Sequence, residues 1–538
     1  MTAQWAGRAL LLVPALAAAA WLATATSPDG LAAMWTILTT QRALLVHTFA
    51  YGLGVSVSAT GLGWALAHVQ HRYRVPGGGA LHLLYLAPLL VPSFTFAMGL
   101  LILLGHNGLI TRFLPGTDVY GPIGLIVAGT LCRLPYAYLP LAWGYRRLDP
   151  HQLDAAAALG ARPGAAFFRV ALPRLLPILA STALIILADA ITDLANPLVI
   201  GGGFSTVAQR LYEAVNGEGD SAAAAAYALL LAMPALLLWA AALRFTDGRT
   251  TRPVPRATPP SRRPTGWAWS LIAVAWTVGA TVAGLLAVVV GESVATGADR
   301  AGLTFDHFTD LLTGPASRPL ATTLLVALVS VPAVVIIAFR LTTTAAATGR
   351  IEATRRLLTA ASALPPAALG VAGLFALNAA AAGFASVDLP VQAATWSAFA
   401  VIVAVHVFRF VPVVALPALR TVRSLVPAVR DSAISVGARS GDLARSVYWP
   451  RIRPELLGGG LTTWARTLTA VSSVILLTNA QVPLLTVRML TDVDAGRLAP
   501  ACAATVVLAG LVGLAAAAGR LVAGARTRDR RIDAEVTR

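Results

Sequence analysis

Long apolar blocks alternate with short polar segments along the whole chain. Twelve of these blocks reach about 20 mostly apolar residues, the length that an α-helix needs to cross the hydrocarbon core of a bilayer. The pattern therefore predicts an all-α polytopic membrane protein. The predicted spans are residues 9–26, 43–67, 81–104, 121–143, 175–200, 222–243, 267–290, 320–340, 357–382, 391–416, 457–478 and 499–524.

Composition supports this prediction and excludes several kinds of active site. Of the 538 residues, 57% are hydrophobic and only 12% are charged, unlike a soluble domain. The sequence contains no lysine, so the Walker A phosphate loop, which requires one, is absent. The eight histidines lack the spacing of zinc ligands, Cys132 and Cys502 lie in apolar blocks, and no catalytic constellation is recognisable. We therefore predict no catalytic residue, no metal site and no cofactor bound by this chain.

The arginines are distributed unevenly between the polar segments. If the N-terminus is cytoplasmic, seven of the 41 arginines face outward, three lie in the interior of spans, and the other 31 lie in inward segments or at the inward ends of spans. This excess follows the positive-inside rule and predicts that both termini are cytoplasmic. It also predicts that the first block is a retained anchor rather than a cleaved signal peptide. Beside a membrane, we expect the basic segments to bind anionic lipid rather than nucleic acid.

The two halves of the chain repeat one pattern. An offset of 277 takes Pro135 to Pro412, and it superimposes four further prolines of the first half on prolines of the second. Upstream, an offset of 274 takes Pro92 to Pro366. A tandem duplication with six spans in each half produces two parallel repeats. We predict a first repeat at residues 1–243, a Pro- and Arg-rich cytoplasmic linker at 244–266, a second repeat at 267–524 and a basic cytoplasmic tail at 525–538.

One polar segment in each half contains two short predicted helices joined at a glycine. In the first half Pro150 begins a helix that ends at Gly160, and Pro163 begins a second helix that Pro173 ends. The matching residues of the second half are Pro427, Gly437, Ser440 and Pro450. We call residues 149–173 and 427–450 the first and second hinge segments.

The hinge segments resemble the cytoplasmic signature of permease subunits in binding-protein-dependent ABC importers. That signature is Glu-Ala-Ala, three residues, Gly, nine residues, a branched aliphatic residue, one residue and Leu-Pro. The first copy here is Asp154, Ala155, Ala156, Gly160, Val170, Leu172 and Pro173. The second copy is Asp431, Ser432, Ala433, Gly437, Val447, Trp449 and Pro450. Aspartate replaces the signature glutamate in both copies, and in the second copy serine replaces alanine and tryptophan replaces leucine.

The resemblance implies a permease of the type I ABC importer fold in a bacterial inner membrane. Each signature would form a coupling helix, within loops 144–174 and 418–455, docked on one of two cytoplasmic ABC ATPase subunits. Those subunits would use the ATP, and an extracytoplasmic binding protein would deliver the solute. Double-length permeases of this kind include ferric iron, 2-aminoethylphosphonate and thiamine importers. Residues 193–215 look most like ferric iron permeases, so ferric iron is the expected solute and the other two are alternatives.

Five charged residues lie in the interior of predicted spans, away from the span ends, where a charge is costly and normally faces a partner or an aqueous path. They are Arg133, Asp189, Asp193, Arg409 and Arg466. Arg133 and Arg409 occupy nearly equivalent positions of the two repeats, at an offset of 276, and Arg466 matches Asp189 at an offset of 277. We predict that these residues line or brace the translocation path, with Asp189 and Asp193 as partners of the arginines and Arg466 facing them across the repeat interface. Structural ion pairs, or arginines that extend to the membrane surface, are the alternative interpretation.

Two other classes of membrane protein fit less of the sequence. An ion-gradient-driven secondary transporter with six plus six spans matches the repeat, but it leaves both hinge segments unexplained. A membrane-embedded enzyme lacks a recognisable set of catalytic residues.

Overall fold

The structure is a computed structural model, and it is almost entirely helical in the residues it describes. These are residues 23–113, 118–148, 152, 155–156, 158–246, 264, 266–296, 302–385, 391–424, 432, 435, 437 and 440–536. The first ten helices are α1 (Pro28–Thr40), α2 (Arg42–Arg72), α3 (Gly78–Leu86), α4 (Thr95–Leu104), α5 (Pro122–Arg146), α6 (Leu172–Ile191), α7 (Ala195–Ile200), α8 (Val207–Glu213), α9 (Ser221–Thr246) and α10 (Ala268–Ser293). The other eight are α11 (Asp306–Thr313), α12 (Ser317–Ala347), α13 (Ile351–Ser362), α14 (Pro366–Ala385), α15 (Val391–Arg423), α16 (Trp449–Leu468), α17 (Leu485–Asp494) and α18 (Leu498–Val536).

The fold is that of an all-α polytopic membrane protein, as the apolar pattern predicts. Among the described residues, eight helices are long and apolar enough to cross a membrane, or up to ten if each of two bent helix pairs is one span. The predicted number of twelve is therefore not confirmed. Most of the first predicted span, residues 9–26, lies outside the described residues.

Two predicted spans are bent helix pairs rather than straight helices. Residues 78–90, which are α3 and a short 3₁₀ turn, meet α4 at 100°, and α13 meets α14 at 89°. Each break contains a proline, Pro92 in the first pair and Pro365 in the second. Because proline has no amide to donate and its ring clashes with the preceding turn, it ends the helix at both places. The two bends occupy corresponding places in the two halves of the sequence.

Two other predicted spans run past the end of a helix. Within predicted span 175–200, α6 ends at Ile191 and α7 begins only at Ala195. Within predicted span 457–478, α16 ends at Leu468, and turns follow up to the start of α17. The two helix ends are again 277 residues apart, so the same break occurs in both halves.

The chain divides into two compact units. The N-terminal unit consists of Ala25–His307 and Met489–Val506, and the C-terminal unit is built mainly of Phe308–Arg488. In the N-terminal unit α2 packs against α5 and α6, and in the C-terminal unit α12 packs against α15 and α16. These two triplets are matching helices of the sequence repeat.

One helix packs away from the repeat to which its sequence belongs. α10 follows the linker and begins the second repeat, yet it packs against α3 and α4 of the N-terminal unit. The Tyr85 hydroxyl donates a hydrogen bond to the Ala275 carbonyl at 3.1 Å. Gly99 lies directly against Leu285, where a larger side chain would have to displace the leucine. The boundary between the units therefore follows α10 in the chain instead of coinciding with the linker.

Candidate functional site

Three of the charged residues predicted within spans meet in the N-terminal unit. Arg133, on α5, donates from Nε to Asp189 Oδ2 at 2.8 Å and from Nη1 to Asp193 Oδ2 at 3.2 Å. Asp189 lies two residues before the end of α6, and Asp193 lies in the break between α6 and α7. Arg133 therefore bridges one carboxylate in the last turn of α6 and another in the break that follows it. Both aspartates were predicted from the sequence as partners of the arginines. We call these three residues the ion cluster.

Asp193 is the most connected member of the ion cluster. Its Oδ1 accepts hydrogen bonds from the backbone amides of Ala195 at 3.2 Å and Asn196 at 3.4 Å, which satisfies two free amides at the start of α7. Its Oδ2 accepts from the Tyr51 hydroxyl at 2.7 Å and from the Asn196 side-chain amide at 2.6 Å, besides Arg133. The carboxylate thus joins α2, α5 and α7 at one point.

Two participants in this arrangement, Tyr51 and Asn196, are absent from the sequence-based prediction. Both side chains are buried within apolar surroundings, where a polar group normally has a hydrogen-bond partner. A lone tyrosine inside an apolar span is a usable signal, because its hydroxyl has to find a partner once buried. The sequence did not indicate which residue that partner would be.

The members of the ion cluster differ strongly in exposure. The side chains of Arg133 and Asp193 are 5% and 3% exposed, whereas that of Asp189 is 54% exposed. The two buried members carry opposite charges and neutralise each other. Arg133 also bonds Asp189, so the cluster as a whole has two carboxylates for one guanidinium, and of these two carboxylates that of Asp189 is the exposed one.

The matching site of the C-terminal unit is chemically different. Arg409 Nη1 donates to the Ser473 hydroxyl at 2.9 Å, and its guanidinium lies 5.3 Å from the centre of the Phe410 ring. Ser473 is the repeat counterpart of Asn196, but the counterparts of the two aspartates are Arg466 and Ala470. The carboxylates of the ion cluster therefore have no equivalent in the second half.

The remaining candidate path residue, Arg466, lies on α16 in the C-terminal unit and is partly buried. Its predicted approach to Asp189 across the repeat interface stays a prediction. Among the residues that the structure describes, no group of three or more His, Cys, Asp or Glu side chains is arranged to hold a metal ion.

The hinge segments both contain a glycine in the left-handed conformation, with φ of 81° at Gly160 and 86° at Gly437. Ala155 and Ala156 are helical, and the amide of Ala161 donates across Gly160 to the Ala156 carbonyl at 3.0 Å. This six-residue bond is the Schellman closure that ends a helix at a glycine. Of the other signature residues, Ser432 is helical and exposed, while Asp154, Asp431 and Ala433 lie outside the described residues.

The second predicted helix of each hinge segment does not end at its proline. Pro163–Ala166, a π-helical turn at Phe167–Ala171 and α6 form one continuous helix through Pro173. In the second half, Ser440–Asp442, a π-helical turn at Leu443–Tyr448 and α16 do the same through Pro450. The predicted stops at Pro173 and Pro450 are therefore wrong.

The π-helical turns explain how the helices pass their prolines. The amide of Leu172 donates to the carbonyl of Phe167, and the amide of Trp449 donates to that of Ala444, each five residues earlier. This wider register accommodates a proline, which can neither donate a hydrogen bond nor fit against the carbonyl four residues before it. The two bonds occupy matching positions of the two halves, 277 residues apart. Trp449 is also fixed by an edge-on contact with Phe339, with ring centroids 5.4 Å apart.

Comparisons with known proteins identify related chains. Residues 59–247 match the family described as binding-protein-dependent transport system inner membrane component. The ferric transport system permease protein FbpB of Actinobacillus pleuropneumoniae is 27% identical over 195 residues, which are 35% of this chain and only 28% of that protein. The molybdenum transport system permease protein ModB of Mycobacterium bovis is 31% identical over 212 residues, which are 38% of this chain and 80% of that protein. The thiamine transport system permease protein ThiP of Brucella abortus is 26% identical over 174 residues, 31% of this chain and 32% of that protein.

Proposed function

Because this chain belongs to the family of binding-protein-dependent transport system inner membrane components, we propose that it is the permease subunit of an ATP-driven ABC importer. The chain is a multi-pass membrane protein and a transport subunit rather than an enzyme. The proposal rests on one structural pattern that occurs in both hinge segments. A left-handed glycine, a π-helical turn and a long helix follow one another in both hinge segments, 277 residues apart.

Each hinge segment docks on one cytoplasmic ATPase subunit in this proposal. The small side chains at Ala155 and Ala156 allow close approach of another protein, and the hinge glycines allow the chain to reverse direction. The uneven distribution of arginines supports a cytoplasmic position for the hinge segments and for both termini. ATP is bound and hydrolysed by the ATPase subunits, and this chain binds no cofactor.

The geometry of α6 links the docking site to the ion cluster. The helix that begins in the first hinge segment runs without interruption for 28 residues, from Gly164 to Ile191. At 1.5 Å per residue it is about 42 Å long, enough to cross a bilayer. Asp189 lies at its far end. A displacement of the hinge segment by an ATPase subunit is therefore carried as a rigid-body movement to the residues that we propose line the path.

The proposed solute is ferric iron, delivered by an extracytoplasmic binding protein. The similarity to a ferric transport permease supports this choice, and so does the stretch at residues 193–215. Thiamine and molybdenum permeases are also among the relatives, and the sequence resembles 2-aminoethylphosphonate importers as well. Thiamine, molybdate and 2-aminoethylphosphonate are therefore the alternative solutes.

The experiment is ATPase activity in proteoliposomes that contain this chain and its co-purified ATPase. An iron-loaded binding protein should stimulate hydrolysis, whereas the same protein without iron should not. Stimulation by thiamine-, phosphonate- or molybdate-loaded binding proteins instead would retain the importer and replace the solute. If no ATPase co-purifies with the chain, the importer proposal fails, and an ion-gradient-driven transporter becomes the better explanation.

A further inference from the structure

The exposed carboxylate of Asp189 is the least compensated charge of the ion cluster. Arg133 and Asp193 are almost completely buried and neutralise each other, and Asp193 accepts five hydrogen bonds. Among the residues that the structure describes, the Asp189 carboxylate accepts one hydrogen bond, from Arg133 Nε, and 54% of its side chain is exposed. The surplus negative charge of the cluster is therefore presented at the surface of α6.

Exposure to lipid does not explain this position. Asp189 lies at the far end of its span, and charged side chains in spans face protein or water because contact with hydrocarbon is costly for a charge. The position is also unfavourable for an acid on its own helix, because the C-terminal end of a helix carries partial negative charge. Asp189 lies in the last turn of α6. Alanine at this site would avoid both penalties but would remove one of the two carboxylates that bond Arg133, and the exposed side of the Asp189 carboxylate requires contact with water.

We infer that Asp189 borders an aqueous path and selects solutes by charge, admitting cations in preference to anions. The inference rests on the proposed importer function and adds the charge class of its solute. It favours a metal cation or an organic cation such as thiamine over an oxyanion such as molybdate or phosphonate. Arg133 acts as the positioning residue, because its Nε bond fixes one carboxylate oxygen and leaves the other side of the group open.

The test uses a thiol probe one helical turn before the aspartate. Ile185 is 40% exposed and lies at position i−4 to Asp189, so both side chains share one face of α6. Ile185→Cys is introduced into the full chain, reconstituted in nanodiscs, and treated with a trimethylammonium-ethyl or a sulfonato-ethyl methanethiosulfonate. The ratio of the cationic to the anionic reaction rate, divided by the same ratio for a small free thiol in solution, measures the preference of the site for positive charge. The native cysteines, Cys132 and Cys502, are buried, and the chain without the Ile185 change measures their background.

We expect this normalised ratio to be roughly ten, since a single charge about 6 Å away in water changes each rate about threefold in opposite directions. Asp189→Asn should reduce the ratio to nearly one, and Asp189→Glu should retain it. If Asp189→Asn does not fold, high salt should reduce the ratio of the Ile185→Cys chain in the same way, because it screens an exposed charge. Leu237→Cys, at a 69% exposed apolar position of α9, is the control for a thiol facing lipid and should react slowly with both reagents.

Two results would overturn the inference: a thiol at position 185 as unreactive as the one at position 237, or a rate ratio that is the same with Asp189→Asn. Neither result depends on an ATPase, because the chain alone is labelled. The charge-selection inference and the importer proposal therefore fail in separate experiments.

Discussion

The hydroxyl of Thr48 accepts a hydrogen bond from the backbone amide of Val207 at 2.9 Å, although the two residues are 159 positions apart in the chain. Val207 is the first residue of α8, whose amide has no partner within its own helix. In the C-terminal unit, the hydroxyl of Thr323 accepts from the amide of Leu485, the first residue of α17, also at 2.9 Å. The same bond between a long helix and a short one is thus present in both units.

Removing this hydroxyl should destabilise the chain. Thr48→Val leaves the Val207 amide buried without a partner, which costs about 1–3 kcal/mol. Thr323→Val should have an effect of the same size. The measurement is the thermal unfolding midpoint of the purified chain in detergent. Thr60→Val and Thr342→Val are matched controls, because these buried hydroxyls on the same two helices have no hydrogen-bond partner within the part of the chain that the structure describes. Equal loss of stability in the controls would contradict the role of the bond.

The buried pair of the ion cluster should be strongly coupled. Arg133→Gln leaves the Asp193 charge buried without its cation and should cost about 3–5 kcal/mol. Asp193→Asn should cost less, because Arg133 keeps its ion pair with Asp189. The double variant should cost clearly less than the sum of the two, because it leaves no buried net charge on these residues. Unfolding midpoints of the three variants measure this coupling. Asp189→Asn should cost less than about 1 kcal/mol, because its carboxylate is half exposed. Additive effects of the two buried changes would show that the pair is not coupled.

The hinge glycines should be required for coupling to ATP hydrolysis. Gly160→Ala and Gly437→Ala place a Cβ at positive φ, which costs about 1–2 kcal/mol and lowers the population of the observed hinge roughly tenfold. Binding-protein-stimulated ATPase activity in proteoliposomes should fall accordingly. The controls are Gly164→Ala and Gly441→Ala, four residues further on in each hinge segment, where the backbone is helical and a Cβ meets open space. An unchanged stimulation in the Gly160 and Gly437 variants would count against the docking proposal.

The π-helical turns should set the orientation of the hinge segments. Pro173→Ala restores a backbone amide that can donate a hydrogen bond. The helix can then form ordinary α-helical bonds between residues four apart, and the wider π-helical turn is replaced by an α-helical one. The hinge segment would then rotate by about 100° around the helix axis relative to the rest of α6. We expect equal or higher thermal stability together with a loss of ATPase stimulation, and the same for Pro450→Ala. Pro177→Ala, in the α-helical part of the same span, should not reduce stimulation. Lost stability without a loss of stimulation would contradict this assignment.

The sequence predicted the existence of the membrane helices better than their continuity. A block of about 20 apolar residues is a sufficient signal for a span, because burial in lipid requires an apolar surface all round. The bends at Pro92 and Pro365 carried a visible signal, since each is a proline within an apolar run. The continuation of the helix through Pro173 carried no such signal. A proline that ends a helix and a proline that a π-helical turn accommodates look alike in sequence.

The sequence by itself determined the membrane class, the repeat with its 277-residue offset, the hinge glycines and the charged residues of the ion cluster. These features depend on local composition, spacing and backbone freedom, which a single chain segment already contains. Only the tertiary structure decided that Tyr51 and Asn196 complete the bonding of Asp193, that α10 packs against α3 and α4, and that one aspartate is buried while the other is half exposed. Burial and hydrogen-bond partners depend on which distant helices meet, and many arrangements of equally apolar helices satisfy the same hydrophobic pattern.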